Sequence, residues 1–212
     1  MTATADLTTV LTAARDRDLL GASVPVEQQI AHAQAFAGVV PTPPALALDL
    51  GSGGGLPGLV LAAHWPDSHW YLVDAQRKRT SFLTWAVEAL GWTDRVEVRH
   101  GRAEDLAHRP ELRGACDLVV ARSFGAPAVV AECASGFVAL SGRLVVSEPP
   151  HPDATRWDSP AAQAGLAALG LRSVAGPADP EDGPHFRVLR QETATPDRYP
   201  RRAGMPAKRP LF

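Results

Sequence analysis

The chain has 212 residues, of which 45% are hydrophobic and 21% charged, with a net charge of −2. That is enough for one ordinary globular domain with short extensions, and the charge does not mark a general nucleic-acid binder. No apolar run approaches the length of a membrane span, Met1 to Val10 lacks the pattern of a secretory signal, and Cys116 and Cys133 stand alone without a CxxC partner. A disulfide framework and a metal site are therefore not expected, and the protein is expected to be cytosolic, away from the membrane, and monomeric.

In chain order, residues 1–40 carry helical spacing. Leu7, Val10, Leu11 and Ala14 form one stripe, and Ile30, Ala33, Ala37 and Val40 a second. Gly21 to Pro25 breaks them apart, and Pro41 to Pro44 is a stiff lead into the first strand. Leu46 to Leu50 is an apolar strand interrupted by Asp49, followed by Gly51, Gly53, Gly54 and Gly55 and then a helical pattern. Trp70 to Val73 is a second strand ending in Asp74, and Arg77 to Leu90 an amphipathic helix stopped by Gly91. Strands follow at Val96–Val98 and Cys116–Ala121, a helix from Pro127 to Leu140, and a strand from Gly142 to Ser147. A helix at Ser159–Leu169 and strands near Leu171–Ala175 and His185–Arg190 complete the pattern. Alternation of this kind predicts an α/β fold whose mainly parallel sheet is covered by helices on both faces. The expected organisation is a helical extension over 1–44, a cofactor-binding domain over 45–190 and a loosely structured basic tail over 191–212.

The strand, glycine loop and helix form the usual cradle of a nucleotide-like cofactor. Gly53, Gly55 and Gly58 match the spacing of a dinucleotide site. Asp49 argues for a different ligand, because a carboxylate beside the loop would repel a pyrophosphate yet suit a cation. S-adenosylmethionine (SAM), with its ammonium and sulfonium, is such a ligand; a purely structural turn is the third reading.

Three further positions fall at the carboxyl ends of strands, where open α/β sheets bind ligands. Asp74 lies 23 residues beyond Gly51, where a carboxylate can accept both ribose hydroxyls, or alternatively cap the strand. Ala103, Glu104 and Asp105 follow the third strand across a short loop, as an adenine-reading amide and acid or as a solvated acidic pair. Arg122 ends the fourth strand, facing the reactive end of the ligand or pairing with a nearby acid. The seven histidines show no metal-ligand spacing, and most are expected at the surface.

With the glycine loop, Asp74-x-x-x-Lys78-Arg79-x-x-Phe82-Leu83, Arg102-Ala103-Glu104 and Val120-Ala121-Arg122-Ser123-Phe124 in order, the chain resembles the bacterial 16S ribosomal RNA guanine-N7 methyltransferases of the RsmG or GidB type. Leu56-Pro57-Gly58 after the loop and the ending from Tyr199 to Leu211 strengthen the likeness. The resemblance implies a Rossmann-like, seven-stranded class I SAM-dependent methyltransferase, with cofactor contacts at Gly51, Leu56, Ala103, Glu104 and Arg122 and Asp74 as the ribose acid. It implies 16S rRNA or the small ribosomal subunit as partner. Phe124 is a candidate platform for the splayed base or a core aromatic.

The likeness is weaker on the substrate side. Residues 1–26 lack the family's Trp-Asn and Asn-Leu-Thr, Gln34-Ala35-Phe36 stands where an acidic partner follows the histidine corresponding to His32, and Ser147-Glu148-Pro149-Pro150 replaces a Lys-Gly pair. Other readings are a SAM-dependent methyltransferase of a small molecule or protein, and a non-catalytic SAM-binding module on the ribosome. From Arg187 to Phe212, seven basic residues face two acidic ones, a surplus of +5 that leaves −7 for the rest of the chain. Arg201, Arg202, Lys208 and Arg209 are therefore the expected RNA contacts.

Overall fold

The computed structural model describes residues 5–150, 153, 155–174 and 183–212. The first four residues of the expected extension and the last of the strand expected over 171–175 lie outside the described residues.

Seven strands form one sheet: β1 (Leu46–Leu50), β2 (His69–Asp74), β3 (Val96–His100), β4 (Cys116–Ala121), β5 (Val138–Ser147), β6 (Leu171–Val174) and β7 (Phe186–Gln191). Their order is β3-β2-β1-β4-β5-β7-β6, and β7 alone runs antiparallel to its neighbours β5 and β6. The central strand β1 is buried at every position after Leu46, because helices cover both faces and leave no solvated side. That explains its near-continuous apolar reading and makes Asp49 conspicuous.

One face is covered by α1 (Leu7–Arg15), α2 (Val26–Ala35), a 3-10 turn at Phe36–Val39, α3 (Gly58–His64) and α4 (Arg77–Leu90). Val10, Phe36, Leu59, Trp70 and Leu83 build the core beneath them. The other face is covered by α5 (Ala103–Leu106), α6 (Pro127–Ser135), α7 (Thr155–Asp158) and α8 (Pro160–Ala168). Here Val130, Phe137, Leu166, Leu189 and Tyr199 interlock.

Two expectations change. The helix predicted from Pro127 to Leu140 ends at Ser135, and β5 begins at Val138 rather than at Gly142. Phe137 and Val138 are buried in the sheet-side core, so tertiary packing draws this segment into the sheet. The tail is not loose. It carries α9 (Met205–Lys208), and Pro206 is buried. Phe212 packs beside Trp157, with ring centroids 6.3 Å apart. Arg113 secures the approach to the tail by donating to the carbonyls of Thr195, Pro196 and Tyr199 at 2.9–3.1 Å.

The strand order reverses between β1 and β4, where Leu50 lies beside Ala121. The crevice outside their carboxyl ends is where a ligand belongs in such a sheet.

Candidate functional site

The glycine loop leaves β1 at this crevice. Gly51 and Ser52 donate their N–H groups to Val73 O at 2.8 and 3.0 Å, which ties the loop to the end of β2. Gly51 has φ +76°, and a Cβ there would lie 2.7 Å from Phe124 Cδ2, so backbone conformation and space both demand glycine. Phe124 therefore roofs the glycine loop, on the same side as Asp74.

Asp74 is buried. Its Oδ2 accepts the Gly53 N–H at 3.0 Å and Arg79 Nη1 at 3.3 Å, and its Oδ1 accepts the Gln76 N–H at 2.8 Å. Gly51, Asp74, Ala103, Glu104 and Phe124 line one cleft of about 350 Å³. The sequence-predicted cofactor residues on three different strand ends thus converge. Ala103 and Glu104 open the short helix α5, across a short loop from β3 as expected.

A second recess of about 190 Å³ shares Gly51, Arg79 and Ser123 with the first and is lined further by Gly53, Leu56 and Arg122. Arg122 Nη1 is buried and, among the described residues, has no hydrogen-bond partner. Burial pulls its pKa below the usual range while Asp49 pulls it back up. The next residue, Ser123, has φ +54°. Such a conformation in a non-glycine residue costs on the order of 1–3 kcal/mol and accumulates at functional sites.

Asp49 lies beneath the loop and not in either cleft. Its Oδ2 accepts the Gly58 N–H at 2.9 Å, whereas Oδ1 is buried and has no hydrogen-bond partner among the described residues. A Cβ on Gly58 would approach that Oδ2 and Leu72 Cδ2 to 2.6 Å, so the acid and the glycine define each other's place. Burial pushes the Asp49 carboxyl up to about 7, against the Gly58 N–H and the Ser52 hydroxyl. The neighbouring Asp74 raises it and Arg122 lowers it.

Sequence reasoning missed the contribution of the first 44 residues. Leu19, Leu20, Gly21 and Gln29 line the second recess. Gln29, buried on α2, donates from Nε2 to Gly21 O and Val24 O at 3.0 Å each and so holds that segment against the glycine loop. A glutamine on an otherwise apolar stripe was the available signal. His32 lies nearby, with ring contacts to Phe36 and Phe186 and a buried Nδ1 that has no hydrogen-bond partner among the described residues. Burial, then the charge of Arg122, lowers its pKa.

At the end of β5, where the resemblance places a Lys-Gly pair, Glu148 accepts Trp157 Nε1 at 2.9 Å and Arg156 Nη1 at 3.2 Å. That position secures α7. Of the four basic tail residues, Arg201 is engaged with Glu132 of α6, while Arg202, Lys208 and Arg209 are exposed and make no side-chain hydrogen bond or ion pair among the described residues. Both cysteines are free and buried, and burial raises the Cys116 thiol to about 12. Among the described residues no group of three or more His, Cys, Asp or Glu could hold a metal ion, and no helix is long and apolar enough to cross a membrane.

The arrangement suits SAM. The first cleft offers the Asp74 carboxylate and the Glu104 acid beside the Ala103 backbone amide, and the adjoining recess holds the buried Arg122 Nη1, unbonded among the described residues. Residues 26–150 match the family model described as rRNA small subunit methyltransferase G. The chain is 34% identical to ribosomal RNA small subunit methyltransferase G of Leuconostoc mesenteroides over 77% of its length and 68% of the relative's. It is 31% identical to the protein of that name from Lactococcus lactis, over 82% and 73%. Among solved structures, the O-methyltransferase TomG from Streptomyces achromogenes, determined in complex with SAM, superposes with a TM-score of 0.56 at 19% identity, covering 92% of this chain and 93% of that one. At that identity the likeness shows a common fold.

Proposed function

Because the chain belongs to the rRNA small subunit methyltransferase G family, we propose that it is a SAM-dependent methyltransferase that modifies N7 of a guanine in 16S rRNA. The observation that carries this reading is the convergence of Gly51, Asp74, Ala103 and Glu104 on one cleft, with Arg122 in an adjoining recess that shares Gly51. SAM, when bound, supplies a methyl group activated on a sulfonium.

This chain's own residues bind and orient. Asp74 accepts ribose hydroxyls with the lone pairs left by Gly53 and Gln76, and Ala103 and Glu104 meet the adenine. Leu56 and the glycine loop shape the passage to the second recess. The N7 of guanine already holds an unshared pair, so attack needs no proton removed and the protein need not supply a base. Placement and a fixed field suffice. Arg122 is the candidate for that field, since its guanidinium is partly desolvated and its Nη1 has no hydrogen-bond partner among the described residues.

Arg202, Lys208 and Arg209 supply phosphate contacts, with Arg201 removed from that role by its bond to Glu132. On this reading the protein acts in the cytoplasm, as a monomer, on small-subunit RNA. Incubation with labelled SAM and, in parallel, naked 16S rRNA, small subunits or a metabolite extract tests it. Label should appear on N7 of a guanine in the RNA or subunit sample. Label confined to small molecules or protein would overturn the RNA assignment and leave the cofactor assignment standing.

A further inference from the structure

The tail makes a contact that its sequence does not announce. Glu132 sits on α6 among Val130, Ala131 and Cys133, and its side chain is completely buried. A buried carboxylate without a partner is strongly destabilising. Arg201 answers it fully: its backbone N–H and Nε donate to Oε1 at 2.8 Å each, and its Nη2 donates to Oε2 at 2.6 Å. The same Nη2 donates to Arg209 O at 2.7 Å, so one guanidinium clamps both ends of the segment that contains α9.

That clamp sets what lies between. The Gly204 N–H donates to Glu104 Oε1 at 2.8 Å, and Arg102 Nη2 reaches the same oxygen at 3.2 Å. Burial pushes the Glu104 carboxyl up, but the Gly204 N–H, its own backbone N–H and Arg102 outweigh it, so the group titrates below its usual range. Three residues on, Ala207 stands in the wall of the 350 Å³ cleft with Gly51, Asp74 and Glu104. Behind it, His108 Nε2 lies 2.8 Å from Pro200 O and further fastens the segment to the α5 side.

We propose that residues 199–209 are part of the cofactor site: a strap that closes the adenosine end of the SAM cleft through Gly204 and Ala207, with Arg201 and Glu132 as the positioning pair that holds it there. The strap fixes Glu104 in its hydrogen-bonded orientation and narrows the cleft at Ala207. Binding of adenosine and docking of the strap are then linked, each favouring the other by the same factor. This inference rests on SAM as cofactor and is independent of the identity of the methyl acceptor.

The test is isothermal titration of the full-length protein with SAM and with S-adenosylhomocysteine, alongside thermal melting. Ala207→Trp leaves the Arg201–Glu132 pair intact and intrudes on the cleft. It should weaken both ligands by more than tenfold, about 1.4 kcal/mol, with the melting temperature nearly unchanged. Arg201→Ala should weaken them by a similar factor, and Arg201→Lys, which keeps the charge but not the planar fork, should recover only part of the loss. In the wild type, saturating SAM should slow tryptic cleavage after Arg202 and Lys208. Unaltered affinity in Ala207→Trp, or a strap cleaved equally fast with and without SAM, would overturn the strap's place in the site. A merely structural strap would lower the melting temperature in Arg201→Ala while leaving the affinity of the folded fraction intact. Absence of SAM binding by the wild type would overturn the cofactor assignment itself, and the strap with it.

Discussion

Replacing Asp49 with asparagine separates the cost of a buried charge from its use. The carboxyl is wholly buried, and burial lifts its pKa from 3.8 to about 7. In the unfolded chain it ionises near its ordinary value of about 3.9. Between those values the folded protein holds more protons than the unfolded one, so stability falls as pH rises through the window from about 4 to about 7. The penalty is absent below that window and complete above it. A shift of about three units is worth at most roughly 4 kcal/mol at about 1.36 kcal/mol per unit. Asparagine retains an oxygen for the Gly58 N–H and cannot ionise. The variant should therefore match the wild type near pH 4 and be more stable at pH 8. At roughly 2–4 °C per kcal/mol for a chain of this size, the melting temperatures should diverge by up to about 8–16 °C. Calorimetric melting in steps from pH 4 to pH 8 measures this. Titration at pH 8 should then show SAM weakened more than S-adenosylhomocysteine, which lacks the sulfonium charge. A melting difference that stays constant across the pH range would refute the buried ionisation. Equal effects on the two ligands would refute a role for the charge at the reactive end.

Gly58→Ala places a Cβ 2.6 Å from Asp49 Oδ2 and from Leu72 Cδ2, and should cost about 1–3 kcal/mol in denaturant unfolding. A neutral result would mean that the loop and β1 can part more easily than their hydrogen bond suggests. Arg122→Ala should depress turnover at saturating SAM and RNA more than it lowers the melting temperature; a stability loss with turnover intact would make Arg122 an ion-pair residue only. Joint replacement of Arg202, Lys208 and Arg209 by alanine should flatten the salt dependence of RNA binding by about 0.7 in log–log slope for each lost phosphate contact. An unchanged slope would move the RNA contacts to another face.

The α/β core was legible because its signals are local. β1 is an apolar run ending in glycines, α4 has an apolar stripe stopped by Gly91 in the left-handed conformation, and Asp74 and Arg122 close strands whose ends a parallel sheet must gather at one edge. Boundaries failed where sequence carries no punctuation. From Pro127 to Leu140 the chain is apolar nearly throughout, so only Gly136 hints at the change from helix to strand, and a glycine is tolerated in either. The basic, proline-rich tail read as loose because its stabilising partner, Glu132, lies some seventy residues earlier in the chain and its pairing is set by tertiary contact. The place of Ala207 in the wall of the cleft was invisible for the same reason, and the four basic residues expected to act alike divide. Arg201 faces inward, and Arg202, Lys208 and Arg209 face out.

Glu132 and Asp49 show what such signals are worth. Each is an acid inside an apolar element, and each is completely buried. Glu132 has both oxygens bonded by Arg201, so its charge is answered within the chain and its consequence is positional. Asp49 has one oxygen bonded and the other without a hydrogen-bond partner among the described residues, with a carboxyl raised to about 7. A protein that needed only to close its glycine loop could do so with an uncharged acceptor for the Gly58 N–H. Retaining an ionisable group whose second oxygen is unanswered, beside an arginine with its own buried nitrogen unanswered, is costly in the absence of ligand. That cost falls where the strand order reverses, with Asp49 beside Val120 of β4, and it is offset if a bound cation adds its field to that of Arg122. On the proposed reading the carboxylate's value lies in binding, and the stability expected to be gained by Asp49→Asn is the measure of what the site would give up to provide it.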